Sequence, residues 1–149
     1  MIFVKGDKLD DEQINLLYEL HRKVYDYTGL LDDFRKLLPN IYVLTDEEIS
    51  DIKGYIQISF PNIDNTIKVE WIYGPGFGKL IMINIEHHFK QKGYTKIILN
   101  VSIDPNELKE TVMRRLNFYI KNKYRVYDIE WRPEHGPLLK MEKVLDQKS

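Results

Sequence analysis

Ile67-Lys68-Val69-Glu70-Trp71-Ile72-Tyr73-Gly74-Pro75-Gly76-Phe77-Gly78-Lys79-Leu80 changes its pattern twice within one short stretch. The opening residues alternate, with Ile67, Val69 and Trp71 on one side of an extended chain and Lys68 and Glu70 on the other. Gly74, Gly76 and Gly78 then let the backbone turn tightly and come close to a ligand. From Leu80 a helical pattern begins, with apolar residues at Ile81, Ile85 and Phe89, and Gly93 ends it. Ile97-Ile98-Leu99-Asn100-Val101 is apolar on both sides, as a central strand should be when it lies parallel to its neighbour and is joined to it by a helix. Strand, glycine turn, helix and strand form the layout of an anion-binding turn. The N–H groups of the first helical turn and the helix dipole face whatever sits above them. The dipole contributes roughly 0.3 to 1 kcal/mol per charge, and charge-assisted hydrogen bonds add to it.

Two familiar phosphate loops do not fit the spacing. A nucleoside-triphosphate loop has four residues between its glycines and then Lys-Ser/Thr; Gly74 and Gly78 enclose three, and Leu80 follows Lys79. A dinucleotide fingerprint spaces its glycines by one and then two residues, whereas Gly74, Gly76 and Gly78 are spaced by one and one.

Toward the N-terminus, Lys53 to Phe60 reads as a half-buried antiparallel strand, because Ile52, Gly54, Ile56, Ile58 and Phe60 alternate with polar residues. Pro61 to Asn65 is the turn after it. Before it come a strand from Ile41 to Leu44 and the acidic turn Thr45-Asp46-Glu47-Glu48, a solvated loop. The chain begins with a short strand, Ile2 to Lys5, followed by a helix with Asp10 as N-cap and Gln13 as its capping-box partner. That helix turns Ile14, Leu17, Leu20 and Val24 inward and breaks near Gly29, and a shorter one, about Asp32 to Leu38, stops at Pro39. Toward the C-terminus, Asp104-Pro105-Asn106-Glu107 predicts the start of a fourth helix carrying Leu108, Val112, Leu116 and Tyr119 inward. Tyr124 to Trp131 and Leu138 to Leu145 read as the last two strands. His87 and His88 point about 100° apart on a helix and have no ligating partner at i+4, so no metal site is expected there.

A chain of 149 residues suits one domain with a real core, and 43% hydrophobic with 30% charged residues is ordinary for a globular protein. The net charge of -1 gives no electrostatic case for nucleic acid, and Arg114, Arg115, Lys121 and Lys123 read as a solvated helix face. Without cysteine there is no disulfide, thiolate nucleophile or thiolate zinc site. The N-terminal residues lack a basic region followed by an apolar run, and no stretch is long enough to span a bilayer, so the expectation is a cytoplasmic protein without a membrane partner.

The turn and the segments after it resemble the GNAT superfamily of N-acetyltransferases, whose pyrophosphate loop reads Gln/Arg, two residues, Gly, one residue, Gly/Ala. Tyr73 takes the first position, Gly76 and Gly78 take the glycine positions, and Gly74 matches a glycine that often follows the first residue. Gly93-Tyr94, Phe118-Tyr119-Ile120-Lys121 before Tyr124-Arg125-Val126, and Leu139-Lys140-Met141-Glu142-Lys143-Val144-Leu145 follow in the family's order, similar to its LYEK-x-GF-x-V and MEK-x-L endings. The resemblance covers the whole chain and is strongest from Thr66 onward. It implies an α/β fold in a single GNAT-like domain over residues 1–149, with a mixed, twisted central β-sheet flanked by helices. The sheet would split between parallel fourth and fifth strands, where acetyl-CoA enters. Trp71, Ile72, Tyr73, Gly74, Gly76, Phe77, Gly78 and Lys79 would border that cofactor.

The implied reaction is direct transfer of acetyl from acetyl-CoA to a primary amine of a small molecule or a protein. Tyr119 falls on the family tyrosine that points at the thioester sulfur, as acid; its other reading is the last apolar position of the fourth helix. Glu70 is the candidate base, since many members carry a catalytic glutamate on this strand. A surface pair with Lys68 is the other reading of Glu70, and His135 or water the other source of a base. The family's acceptor wall would draw on Tyr25, Tyr27, Asp32 and Asp33, although carboxylates near a helix start also serve as dipole partners. The chain departs from the family at Tyr73, at the single linker residue Ile72, and at Val112, where many members carry an asparagine. These departures support a second reading, a GNAT-fold CoA-binding sensor or protein-interaction module without turnover. Exposed edge strands at the C-terminal end allow a homodimer.

Overall fold

The computed structural model describes residues 1–46 and 51–145. Its strands are β1 (Ile2–Lys5), β2 (Ile41–Thr45), β3 (Ile52–Ser59), β4 (Thr66–Tyr73), β5 (Lys96–Ser102), β6 (Arg125–Arg132) and β7 (Gly136–Val144). Its α-helices are α1 (Asp11–Tyr25), α2 (Leu31–Arg35), α3 (Gly78–Gln91) and α4 (Lys109–Lys121). The strands hydrogen-bond in the order β1-β2-β3-β4-β5-β7-β6. β4 and β5 are parallel, while β1/β2, β2/β3, β5/β7 and β6/β7 are antiparallel, so the sheet is mixed as expected. No helix among the described residues is long and apolar enough to cross a membrane. The acidic turn runs beyond Asp46, and Glu47 and Glu48 lie outside the described residues.

The chain divides into two compact units, Met1–Ser59 with Trp71–Ile85, and Phe60–Glu70 with Glu86–Ser149. In the first, α1 starts as the sequence predicts. Asp10 Oδ1 accepts from the Gln13 N–H, and Gln13 Oε1 accepts from the Asp10 N–H, both at 2.8 Å. Leu9, Ile14, Leu17, Phe34, Leu38, Ile41, Val43 and Tyr55 form the core of this unit. α2 is shorter than expected: it ends at Arg35, and Pro39 sits in a separate 3-10 turn, Leu38–Asn40. β3 is not half-buried. Gly54 through Ile58 are all buried, so Tyr55 and Gln57, read from the sequence as a solvent face, are covered as well.

In the second unit α3 ends as Gly93 predicts. Gly93, at φ +92°, donates to Lys90, and Tyr94 donates across it to the Phe89 carbonyl, the double closure of a Schellman motif. The start of α4 corrects the sequence expectation. Asp104 caps a turn instead of the helix: its Oδ1 accepts from the Asn106 N–H at 2.8 Å and its carbonyl from the Glu107 N–H. The helix begins at Lys109 with exposed Leu108 at the N-cap, so Leu108 is not on the inward face, while Val112 and Tyr119 are buried. An Asx turn and a helix N-cap use the same side-chain acceptor, which is why Asp104-Pro105 misled. In β6, Val126 lies opposite Met141 and Asp128 opposite Lys140, so Tyr127 is the extra residue of a β-bulge. Arg125, Asp128, Glu130 and Arg132 therefore share one face of the strand, and Val126, Ile129 and Trp131 the other.

A candidate acyl-CoA site

The glycine turn lies in the first unit with everything that shapes it. β4 runs through Tyr73, so Trp71, Ile72 and Tyr73 are strand residues and the turn proper is Gly74 to Phe77. The Phe77 N–H donates to the Gly74 carbonyl at 2.8 Å, with Pro75 second and Gly76, at φ +81°, third, the residue pattern of a type II turn. A β-carbon on Gly74 would stand 2.8 Å from Ile81 Cδ1, and one on Gly54 2.4 Å from the Tyr73 carbonyl. The backbone at Tyr73 therefore leaves no room for a side chain at Gly54, whereas at Gly74 the near atom is the tip of the Ile81 side chain, which can shift. At Gly76 a β-carbon would meet nothing within 4 Å.

α3 follows at once. The Ile81 N–H is the first to close on the turn, donating to the Phe77 carbonyl at 3.0 Å. The N–H groups of Gly78, Lys79 and Leu80 thus have no acceptor within the helix. Three helical donors, an open side at Gly76 and the exposed Lys79 fit a diphosphate, the anionic part of a coenzyme A.

Around β4 in the same unit stands an aromatic cluster that sequence reasoning did not find. His21 is fully buried, and its ring centroid lies 4.5 Å from Trp71, 4.9 Å from Tyr27, 5.4 Å from Tyr25 and 5.5 Å from Phe34. Its Nδ1 is 2.7 Å from Tyr55 Oη, while Nε2 has no hydrogen-bond partner among the described residues. Burial lowers the His21 pKa and raises that of Tyr55. Tyr25 ties α1 to the strand by donating to the Ile72 carbonyl. The signal in the sequence was spacing: His21 continues the stripe of Ile14 and Leu17. Of the proposed acceptor wall, Tyr27 packs in this cluster, and burial and the nearby Asp33 raise its pKa. Asp32 and Asp33 sit in the first turn of α2, and Asp33 pairs with Lys36 at 3.9 Å.

Glu70 and Tyr119 belong to the second unit. The β4/β5 ladder pairs Thr66 with Lys96, Ile67 with Ile97 and Lys68 with Ile98, and then stops although both strands continue. Glu70 lies just past that end, and Lys68 Nζ approaches its Oε1 to 3.6 Å, the pair the sequence suggested. Tyr119 is buried on α4, with Phe118 and Tyr124 as ring neighbours at 5.2 and 5.8 Å. Tyr124 donates to Glu86 at 3.2 Å, Lys143 bridges to the same carboxylate at 2.6 Å, and burial foremost raises the Tyr124 pKa. Val112 is buried and lines a cavity of about 530 Å³ with Met113, Trp131, Pro133 and Pro137. His135 is exposed on the β6/β7 hairpin. Among the described residues no group of three or more His, Cys, Asp or Glu side chains could hold a metal ion.

No protein-family model matches the sequence, and no curated protein matches it either. Solved structures do match, across nearly the full length. An aminoglycoside 6'-N-acetyltransferase in complex with coenzyme A aligns with a TM-score of 0.78 at 14% identity, covering 100% of this chain and 99% of its own. The ribosomal-protein-S18-alanine N-acetyltransferase from Escherichia coli gives 0.73 at 9% identity, with 99% and 96% covered. A Desulfovibrio desulfuricans protein of the GNAT acetyltransferase family gives 0.74 at 13%, with 97% and 99% covered. Strand order, parallel β4/β5 pairing and full-length superposition together give this chain the fold of the GNAT acetyltransferases.

Proposed function

We propose that this chain is a single-domain, acetyl-CoA-dependent N-acetyltransferase that moves acetyl directly to a primary amine. The observation that carries the reading is the β4–turn–α3 junction, whose helical N–H groups and open glycine suit a diphosphate within a fold shared with an acetyltransferase solved with coenzyme A. When bound, acetyl-CoA supplies an acetyl group activated as a thioester. The N–H groups of Gly78, Lys79 and Leu80 hold the diphosphate, and Trp71, Ile72, Tyr73, Gly74 and Phe77 border the arm that follows it. Tyr119 Oη gives its proton to the departing sulfur. The Glu70 carboxylate takes the proton of the amine, which is needed because an alkylamine with a reference pKa of about 10.4 arrives protonated. With no cysteine in the chain, no acyl-cysteine step intervenes. Acceptors of two kinds, a small cationic molecule or a protein amine, fit the reading, with the cytoplasm, a compartment that holds acetyl-CoA, as its location.

Lys68 beside Glu70 and the buried apolar Val112 favour a second reading, a CoA-binding module without turnover. Calorimetric titration of acetyl-CoA into wild type and Gly76→Glu tests both. Binding that the added carboxylate abolishes supports the site, and no binding at millimolar cofactor sinks it. Thiol release on an amine panel, absent in Tyr119→Phe, then supports the enzyme. Binding with no turnover of any amine selects the module.

A further inference from the structure

We infer that Tyr124 is a positioning residue for Tyr119, holding the proposed acid in place through a clamp that runs from Tyr124 to Glu86 and Lys143. Its role in catalysis rests on the acetyltransferase reading; its geometry does not. All four residues belong to the second unit.

The need for a clamp follows from how lightly α4 is held. Of its thirteen residues only Val112 and Tyr119 are buried. They stand seven positions apart, so the deep contacts of the helix lie along a single line, about which it can roll. Tyr119 is also in the last turn, where helices fray. A group that must meet a reacting atom has to keep its place to about 0.5 Å, and a displacement of about 1 Å can cost roughly 10²-fold in rate.

Tyr124 constrains Tyr119 twice and is itself tied down outside α4. Its N–H donates to the Tyr119 carbonyl at 3.0 Å, which closes the end of the helix. Its ring meets the Tyr119 ring edge to face, with centroids 5.8 Å apart and planes at 71°. At the far end of that ring the hydroxyl donates to Glu86 Oε2 on α3 at 3.2 Å. Lys143 on β7 holds the other oxygen of the same carboxylate at 2.6 Å, and its Nζ stands 5.7 Å over the Tyr124 ring. The ring beside Tyr119 is therefore fixed to a helix and a strand that α4 does not contain. Burial first, and then Glu86 and Tyr119, raise the Tyr124 pKa, so the hydroxyl stays protonated and remains a donor. Glu86 and Lys143 offset each other, and the clamp adds no net charge beside the acid. Packing alone asks for a ring at position 124, which phenylalanine would supply. What the hydroxyl adds is the tie to Glu86.

Tyr124→Phe keeps the ring and cuts that tie, and Glu86→Met cuts it from the α3 side. With meta-fluorotyrosine at position 119, the fluorine spectrum reports on the acid whether or not the chain turns over. Each variant, with an unchanged far-UV circular dichroism spectrum, should broaden that spectrum or add a resonance to it. In turnover, Tyr124→Phe should lower kcat about 10- to 100-fold at unchanged acetyl-CoA affinity. The double variant Tyr119→Phe/Tyr124→Phe should be no slower than Tyr119→Phe, because a residue that acts through Tyr119 then has nothing left to act on. A fluorine spectrum indifferent to both variants overturns the inference, as does a double variant in which the two losses multiply. Absence of turnover on every amine would fail the acetyltransferase reading instead, and the fluorine spectrum would still decide the clamp.

Discussion

A neutral imidazole sealed among rings makes His21 a pH-dependent contributor to stability. Burial lowers its pKa in the folded protein below the ordinary 6.5. Below pH 6.5 the unfolded chain takes up a proton that the folded chain refuses, so unfolding gains. The contribution is complete above 6.5 and is lost as pH falls toward the folded value, by at most about 1.4 kcal/mol per pH unit. Denaturant melts of wild type and His21→Phe should therefore converge as pH drops from 7.5 to 5, whereas parallel curves would remove His21 as the cause. Tyr119 makes a different prediction, about activity. If its hydroxyl is the acid, Tyr119→Phe lowers kcat about 10²- to 10⁴-fold with an unchanged acetyl-CoA affinity, whereas a loss confined to KM assigns it to binding. Of these two residues only Tyr119 was legible in the sequence, because it falls within a motif. His21 sits on the α1 stripe with Ile14 and Leu17, but a polar residue type on an apolar stripe carries no mark of burial until its neighbours arrive from β3 and β4.

Local chemistry decided how well each element could be read in advance. The start of α1, the glycine turn and the end of α3 were legible because each is closed by residues adjacent in sequence: Asp10 with Gln13, Gly74 with Phe77, Gly93 with Tyr94. The solvent face expected of β3 was not, since tertiary cover over Tyr55 and Gln57 overrides alternation. The end of α4 repeats the closure of α3 with a less suitable residue. Lys123 adopts φ +73° and donates to Ile120, and Tyr124 donates to Tyr119, so a side chain occupies the left-handed position that glycine fills at the end of α3. Lys123→Gly should stabilise the protein by about 1 kcal/mol, read as a higher urea midpoint at constant slope. A lower midpoint would mean that the lysine side chain supports the helix end in some other way.

At the scale of the molecule, neither compact unit is one continuous piece of chain. β4 divides between Glu70 and Trp71, and α3 between Ile85 and Glu86, so each unit owns part of an element that the other also needs. Unfolding one unit would end β4 and α3 partway along their length. Hydrogen exchange should accordingly give one common opening free energy for the slowest amides of β2 in the first unit and of β5 and β7 in the second. Two distinct values would make the units independent. Chain length is constrained more unevenly. Removing Tyr127 would leave Val126 opposite Met141 and Asp128 opposite Lys140, now as neighbours in a regular ladder, with every other side chain of β6 on its present face. Loss of a residue anywhere between Asp128 and Arg132 would instead turn part of the strand over and drive its charges to the apolar side. Among single deletions in this strand, Tyr127 is therefore the position where the chain can lose a residue and keep its meaning.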